Sequence, residues 1–279
     1  MPKLTIITIN YNNASGLHTT IQSVINQKFI DFEYIIIDGG SNDGSLDVIK
    51  QFSDKITFWV SEKDNGIYNA MNKGIVKSSA EYLLFMNSGD WLSNTDVLQN
   101  LFNTNPTCDL IFGNMVKVFK NGESIRIKGT LEKEITFFSF FHETICHPAS
   151  FIKRNLFLKF GFYDENLKIV ADWKFYLIAF GLNDSTIKYE NIDISYYNTE
   201  GISSNQTELA QNEREKVLRE LLPYRVRLYF ENNRKYLVKL ETIKNQSLPL
   251  VIYTLSVNLL VKVIKLILLI QNKVKNKNV

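Results

Sequence analysis

The sequence has very little cysteine and histidine, and this scarcity excludes several kinds of site. The two cysteines, Cys108 and Cys146, lie far apart and form no CxxC pair, so we expect inert thiols rather than a disulfide framework. A reducing cytoplasm fits this usage. The three histidines, at positions 18, 142 and 147, have no metal-ligand spacing to one another, which argues against a histidine zinc site.

The sequence also lacks the glycine-rich motifs of common nucleotide enzymes. Neither GxxxxGK[ST] nor GxGxxG occurs, which disfavours kinases and dinucleotide-dependent dehydrogenases. A sugar-1-phosphate nucleotidyltransferase would need a glycine-rich, arginine-containing loop after the first strand, and ITINYNN at 7–13 is not such a loop. No secretory signal is recognisable, because the apolar run Leu4–Ile9 is far too short.

Charge of either sign is modest overall but unevenly placed. The chain of 279 residues carries a net charge of +3, which is too weak to imply nucleic acid. Residues 242–279 hold six lysines and no acid, so the first 241 residues are slightly acidic and the tail is basic. Hydrophobic residues make up 45% of the chain, enough for a sizeable core.

The first 120 residues alternate between short apolar runs and helical patterns. Strands are predicted at 4–9, 33–38, 56–61 and 81–87, with a helix between each pair. This rhythm predicts parallel strands joined by helical crossovers, in a doubly wound α/β sheet.

Beyond residue 109 the alternation loosens. A hairpin is predicted from 109–119 and 123–128, and a helix from Asp172 to Gly181. Residues 207–246 are helical in composition.

Acidic, glycine-containing turns follow two of the predicted strands. DGGSNDGS at 38–45 follows an apolar run, and the strand at 81–87 ends in Asn87 and Asp90. In open α/β sheets ligands bind at the carboxyl ends of the strands. The two acids, Asp38 and Asp90, therefore suggest one nucleotide site with room for a metal.

Several segments, in order and spacing, resemble glycosyltransferase family 2. They are ITINYNN (7–13), DGGSNDGS (38–45), SEKDNGIYNAMNKGI (61–75), MNSGD (86–90), HPASFIKR (147–154) and VADWKFYLI (170–178). The resemblance is greatest to the branch that builds bacterial surface polysaccharides, such as the colanic-acid transferases. It implies a GT-A fold, which is a Rossmann-like, doubly wound mixed sheet, over residues 1–205.

The same resemblance implies an inverting transferase that uses a nucleotide sugar, a uridine diphosphate sugar in the first instance, with Mg²⁺ or Mn²⁺. The acceptor would be a glycan, carried on a lipid. A catalytically weakened nucleotide- or glycan-binding module is the alternative. We expect a helical extension at 206–247 and an amphipathic basic segment at 248–279.

Residues after the first two strands are predicted to bind the donor. Thr8, Asn10 and Tyr11 would line the base pocket, unless they form an ordinary polar loop. Asp38 can accept the imide N–H of uracil or hold a ribose hydroxyl, and a turn-capping acid is the alternative. The glycines that follow Asp38 would let the backbone approach the nucleotide closely.

The segment Asp64-Asn65-Gly66 is predicted to open the helix that carries Asn72 and Lys73. Helix N-termini favour anions, and Lys73 could meet a phosphate; a capped surface helix with a solvated lysine is the alternative. The resemblance assigns Asp64, Gly66 and Asn72 to the donor site.

Asp90 is predicted to be the metal ligand, with a simple turn residue as the alternative. One carboxylate and two phosphate oxygens can suffice for a hard cation that keeps its waters. Asn87 could hydrogen-bond the ribose. The family's usual pattern is D-x-D-D, so Asn87-Ser88-Gly89-Asp90 lacks two acids, and this is the best support for the weakened-module alternative.

Asp172 is predicted to be the catalytic base, because a positioned carboxylate can take the proton of an acceptor hydroxyl. A helix N-cap is the alternative role. Many relatives have Glu-Asp where this chain has Ala171-Asp172. Trp173 could stack on a sugar or pack in the core. The resemblance places His147 near the diphosphate or acceptor, and a structural histidine is equally compatible.

The C-terminal segment is predicted to lie on a membrane. Thr254, Asn258, Lys262 and Lys265 form one polar stripe on an otherwise apolar helix, which suits a helix in the plane of an anionic surface. A dimerisation helix or a membrane span are the alternatives, the first implying a homo-oligomer. We therefore expect a cytoplasmic protein, peripheral to the inner face of the plasma membrane. Ser203 and Ser204 are predicted to belong to a loop that closes on the donor.

Overall fold

The computed structural model describes residues 1–129, 135–199 and 206–244. The strands of these residues are β1 Leu4–Asn10, β2 Phe32–Asp38, β3 Phe58–Ser61, β4 Tyr82–Phe85, β5 Trp91–Leu92, β6 Leu110–Val118, β7 Ser124–Ile127, β8 Ser150–Lys153 and β9 Ile187–Asn198. The helices are α1 Ala14–Ile25, α2 Ser45–Gln51, α3 Ile67–Lys77, α4 Val97–Phe102, α5 Phe137–His142, α6 Arg154–Phe160, α7 Ala171–Tyr176, α8 Thr207–Leu221 and α9 Tyr224–Lys244.

The described strands form one mixed sheet in the order β3-β2-β1-β4-β8-β6-β9-β5, with β7 paired to β6. β1 to β4 are parallel, as the alternating pattern predicts. β8 lies antiparallel between β4 and β6. Because β8 runs in the opposite direction, its first residues lie at the same edge as the carboxyl ends of β1 to β4. The predicted hairpin is confirmed as β6 and β7.

The central strands are buried on both faces. Along β1, Ile7 and Ile9 belong to one apolar cluster, whereas Leu4 and Ile6 belong to a second cluster on the opposite face. Successive side chains of a strand point to opposite faces, and a parallel sheet covered by helices on both sides needs apolar residues at both positions. This is why the strand reads as a continuous apolar run.

The helical stretch predicted at 207–246 divides into α8 and α9 around Pro223. Proline lacks the N–H that a continuing helix needs, and it restricts the residue before it. One compact unit runs from Met1 to Leu222, and a second begins at Pro223. Val217 of α8 is fully buried in the core of the first unit. The predicted domain boundary at 205 falls in the undescribed residues 200–205, and the first unit continues beyond it through α8.

Two further expectations concern the cysteines and the C-terminal segment. Cys108 and Cys146 are both unpaired, as predicted. Among the described residues, no helix combines the length and the apolar character that crossing a membrane requires. The predicted amphipathic segment at 248–279, including its polar stripe, lies outside the described residues.

Candidate active site

Three polar side chains end neighbouring strands in one row. Asn10 of β1 pairs in register with Asp38 of β2, and Asp38 pairs with Ser61 of β3. The Asp38 carboxylate is fully buried, and it accepts hydrogen bonds from Asn10 Nδ2 at 2.7 Å and from Ser61 Oγ at 2.6 Å. Ser41, in the turn after β2, donates both its hydroxyl and its backbone N–H to the same carboxylate.

This arrangement stabilises the charged form of Asp38. Burial by itself raises the pKa of Asp38, but the hydrogen bonds from Ser41, Ser61 and Asn10 outweigh burial and hold the pKa below its ordinary value. A carboxylate offers about four lone-pair sites, and the protein already occupies them. The geometry therefore favours the alternative role of Asp38, an acid that fixes the turn. Direct contact with a uracil ring would require one of these donors to leave.

Tyr11 and Asp64 approach Gly39 closely in this turn, and together they form a candidate nucleotide cradle. A Cβ atom at Gly39 would lie 2.5 Å from Asp64 Oδ2 and 3.2 Å from Tyr11 Cδ2, so the close approach depends on glycine. Tyr11 is 67% exposed and offers its ring to a ligand. Asp64 Oδ1 accepts the N–H of Gly66 at 2.9 Å, and Gly66 has a φ of +113° that favours glycine. Tyr11, Asp64 and Gly66 thus lie together where the sequence places the donor.

Four residues predicted to bind the donor, Thr8, Asn10, Asn72 and Lys73, have other partners, and those of Asn10 are Asp38 and Ser41. Thr8 is fully buried and hydrogen-bonds the Tyr34 hydroxyl at 3.0 Å, so it cannot line an open pocket. Lys73 pairs with Glu62 at 2.7 Å on the surface, as the solvated-lysine alternative expects.

Asn72 is also mostly buried, and it links α3 to the turn after α6. Its Nδ2 donates to Tyr163 O and Glu165 Oε1 at 2.9 and 2.8 Å, and its Oδ1 accepts from Tyr163 N at 3.0 Å. Asn72 therefore acts as a staple between these elements, and its donor-site role stays a prediction.

The turn that carries Asp90 is held against α1. The Thr20 hydroxyl donates to Asp90 O at 2.6 Å and accepts from Gly89 N at 2.9 Å, and Asn13 Nδ2 donates to Ser88 O at 2.9 Å. The Asp90 side chain is 4% exposed, and its Oδ1 accepts from the backbone N–H of Asn198 at 3.0 Å. Burial raises the pKa of Asp90 to about 7, although that hydrogen bond lowers it.

The oxygen atoms at this turn would suit a divalent cation. Asp90 is a buried carboxylate with little compensation, and the buried Oδ1 of Asn87 has no hydrogen-bond partner. Both are oxygen ligands of the kind that Mg²⁺ and Mn²⁺ prefer. Within residues 1–129, 135–199 and 206–244 no group of three or more His, Cys, Asp or Glu side chains is placed to hold a metal. An ion here would therefore take most of its ligands from phosphate and water.

Asp172 lies in the first turn of α7 and is partly exposed. Its Oδ1 is 3.0 Å from the Tyr68 hydroxyl of α3. His147 precedes β8, stacks on Phe85 and shares a hydrogen bond of 2.9 Å with the Tyr163 hydroxyl. Burial lowers the pKa of His147, and the charge of Asp172 opposes that shift. His147 therefore lies in the same electrostatic environment as Asp172, but its hydrogen bond is structural.

Trp173 packs in the core, which is one of its two predicted roles. Its side chain is 1% exposed, and its Nε1 donates to Phe140 O at 2.7 Å. It cannot stack on a sugar, and the core alternative is the observed one.

Sequence reasoning missed Thr20 and Tyr68, which hold Asp90 and Asp172. Both residues lie on predicted helices, and a helical position does not identify a site residue. For Tyr68, its place in the motif at 61–75 was the only indication of a role in the site. Ser203 and Ser204 lie outside the described residues.

Comparison with known proteins agrees with this geometry. A family model described as "Glycosyl transferase family 2" matches residues 5–160. A "PGL/p-HBAD biosynthesis glycosyltransferase" of Mycobacterium bovis (strain BCG / Pasteur 1173P2) is 29% identical over 210 residues, which cover 73% of this chain and 80% of the relative.

Two solved structures share the fold. S. aureus TarS 1-349 in complex with UDP-GlcNAc has a TM-score of 0.62 at 19% identity, over 78% of this chain and 64% of that one. The mannosyltransferase PcManGT from Pyrobaculum calidifontis, in complex with GDP-Man and Mn²⁺, has a TM-score of 0.58 at 14% identity, over 93% and 80%. The chain thus spans less than two thirds of the TarS structure. The predicted GT-A fold is confirmed.

Proposed function

This chain belongs to glycosyltransferase family 2, and from that premise we propose that it moves a sugar from a uridine diphosphate sugar to a glycan acceptor with inversion of the anomeric carbon. The broader class, a glycosyltransferase that uses a nucleotide sugar, follows from the family itself. The UDP-GlcNAc bound to the TarS structure supports uridine as the base.

The observation that carries the proposal is the state of Asp90. A buried carboxylate with one backbone hydrogen bond and a raised pKa gains most from a nearby cation. A nucleoside diphosphate brings that cation with it, and the orphaned Asn87 Oδ1 gives the ion or the ribose a further partner.

The mechanism assigns one role to each part of the site. Tyr11, Gly39 and Asp64 hold the nucleoside. Asp90 and Asn87 would hold Mg²⁺ or Mn²⁺, which when bound neutralises the charge that develops on the leaving diphosphate. Asp172 takes the proton of the acceptor hydroxyl as its oxygen bonds to the anomeric carbon. The bond from that carbon to the diphosphate breaks on the opposite face, which inverts the centre.

Asp172→Asn tests the base. We expect transfer to fall by roughly 10²–10⁴-fold, while UDP binding stays near normal because the nucleotide contacts other residues. Asp184→Asn, the same change at an exposed loop acid, is the matched control. Near-normal turnover of Asp172→Asn on its acceptor would rule out this role.

A donor panel tests the nucleotide. Thermal unfolding should be measured with UDP-, GDP- and dTDP-sugars, each with Mn²⁺ or with chelator. We expect stabilisation by UDP-sugars above all, and more with Mn²⁺, because ligands that bind only the folded state stabilise it by mass action. Equal shifts with all three bases would contradict the uridine assignment.

We propose further that the acceptor is lipid-linked, that it serves surface polysaccharide synthesis and that the tail brings the enzyme to the inner face of the membrane. The support is the sequence of the tail alone, with Lys262 and Lys265 in its polar stripe. In the full chain, Lys262→Glu with Lys265→Glu should reduce flotation with anionic vesicles, since each lysine near such a surface contributes about 1 kcal/mol. Unchanged flotation together with a lost dimer would favour the dimerisation helix.

A further inference from the structure

A buried glutamate of α8 holds the segment that precedes Asp172. Glu213 is 8% exposed. Its Oε1 accepts from Lys168 N at 2.7 Å, and its Oε2 accepts from Ile169 N at 3.0 Å and from Val170 N at 3.3 Å. Three consecutive backbone donors therefore converge on one carboxylate, immediately before α7 begins at Ala171.

The rest of α8 continues the same contact. Arg214, the next residue, lies over the Trp173 ring at 4.8 Å from its centroid. Glu220 is 3.6 Å from Lys174 Nζ, which also pairs with Asp164 at 2.6 Å. Contacts on both sides of Asp172 thus tie α7 to α8.

The Tyr68 hydroxyl has two acceptors and one proton. It lies 2.7 Å from Ile169 O and 3.0 Å from Asp172 Oδ1. When Asp172 is ionised, the hydroxyl can donate to the carboxylate, and that charge-assisted bond is the stronger choice. When Asp172 is protonated, the hydroxyl can donate to Ile169 O and accept from the carboxyl group instead. Both states of the acid are therefore satisfied without moving the backbone.

We propose that Tyr68 and Glu213 are positioning residues for Asp172, with Glu213 fixing residues 168–170 and the Tyr68 hydroxyl following the proton of the base. The inference rests on the proposed role of Asp172 as the base. In the transfer step the acceptor's proton moves to Asp172, and Tyr68 keeps its own proton while its O–H turns from Asp172 to Ile169 O. No further reactant is needed.

Other titratable groups around Asp172 do not duplicate this function. His147, Tyr163 and Tyr176 face it from the segment before β8, the turn after α6 and α7 itself. Burial lowers the pKa of His147 and raises the pKa values of both tyrosines, so all three are neutral near pH 7. Among the hydrogen bonds described above, only that of Tyr68 reaches the Asp172 carboxylate.

Tyr68→Phe is the decisive variant. Loss of a hydrogen bond to the charged form favours the protonated acid, so we expect the acid limb of the pH–kcat profile to move to higher pH. We also expect kcat at neutral pH to fall about tenfold, which corresponds to one hydrogen bond of about 1.4 kcal/mol, with donor KM unchanged. Tyr236→Phe, at an exposed tyrosine, is the control. A lower melting temperature with an unmoved pH profile would overturn the proposal, because it would make Tyr68 merely structural.

Glu213→Gln tests the other half. The amide keeps the shape but loses one acceptor, so we expect lower kcat with unchanged UDP affinity. Glu208→Gln, at the exposed start of α8, should leave both kcat and UDP affinity unchanged. Unchanged kcat in a folded Glu213→Gln protein would overturn its role. If Asp172→Asn remains active, the proposed base itself is wrong. If Asp172→Asn is inactive but Tyr68→Phe keeps the normal pH profile, only the positioning proposal fails.

Discussion

Asp38 ends β2 and Asp90 follows β4, the two strands that flank β1, and these two buried acids differ in how many hydrogen bonds they accept. Asp38 accepts hydrogen bonds from Asn10, Ser41 and Ser61, and its pKa is lowered. Asp90 accepts a single bond, from the backbone of Asn198, and its pKa is raised to about 7. The protein itself supplies four donors to the first carboxylate and one to the second, which is why we propose a ligand role for Asp90 alone. Burial and position at a strand end are therefore not enough to identify a ligand-binding acid, because two such acids can differ in the number of hydrogen-bond donors around them.

Asp90→Asn should break the comparison on the functional side, with the largest effect. We expect transfer to fall by roughly 10²–10³-fold, the size seen when one group that stabilises developing charge is removed, and the metal dependence of UDP binding to disappear. Calorimetry with Mn²⁺ and with chelator measures this. Undiminished metal dependence would show that Asp90 is not the ligand.

Asp38→Asn tests the structural role of Asp38 in this comparison. The amide has only one acceptor oxygen, and its NH₂ group would face hydrogen-bond donors of the protein in place of the second oxygen. We therefore expect a loss of about 3 kcal/mol of unfolding free energy, or roughly 10 °C in melting temperature for a unit of this size. Because the pKa of Asp38 is lowered in the folded state, this loss is present above its ordinary value of 3.8 and fades as the pH falls below it. Asp90→Asn without metal is the control, and an equal loss there would erase the distinction.

The pH dependence of stability should sharpen the comparison. Burial raises the pKa of Asp90 from its ordinary value of 3.8 to about 7. Without metal, the unfolded chain, in which the carboxyl group is solvated, therefore loses this proton at lower pH than the folded protein does. The ionisation of Asp90 therefore costs no stability below pH 4, and its cost grows to about 4 kcal/mol as the pH rises toward 7. The difference between wild type and Asp90→Asn in chelator isolates this slope. Parallel curves for the two proteins would contradict it.

Ser61→Ala should give the smallest effect. It removes one of the four donors to Asp38, so we expect a loss of about 1.5 kcal/mol, with UDP affinity unchanged. Ser53→Ala, at an exposed serine, controls for the lost hydroxyl. Weaker UDP binding would mean that Asp38 contacts the nucleotide after all.

The sequence predicts the parts of this molecule whose signals are local. The apolar runs of β1 to β4 and the turn between β6 and β7 are specified by residues within these segments or next to them. β8 is not recognisable as a strand within the motif at 147–154, because its place between β4 and β6 depends on partners far along the chain.

The same limit applies to the site. Asp38, Asp64, Asp90 and Asp172 could be selected as chemically useful residue types next to predicted strands and helices. The hydrogen-bond partners of each acid could not be predicted from the sequence, because the donors to Asp38 come from three different segments. Trp173 shows the same dependence, because a carbonyl 33 residues away fixes it in the core.

The staple formed by Asn72 has a consequence for how enzymes of this kind can recombine. Asn72 belongs to α3, yet its three hydrogen bonds go to Tyr163 and Glu165, and Tyr68 of the same helix reaches Ile169 and Asp172. A hybrid that exchanged everything after β8 for the corresponding part of a relative would separate these partners. The structural unit that holds Asp172 is thus discontinuous in the coding sequence. It consists of α3 together with residues after β8, and we expect successful chimeras to take both from the same parent.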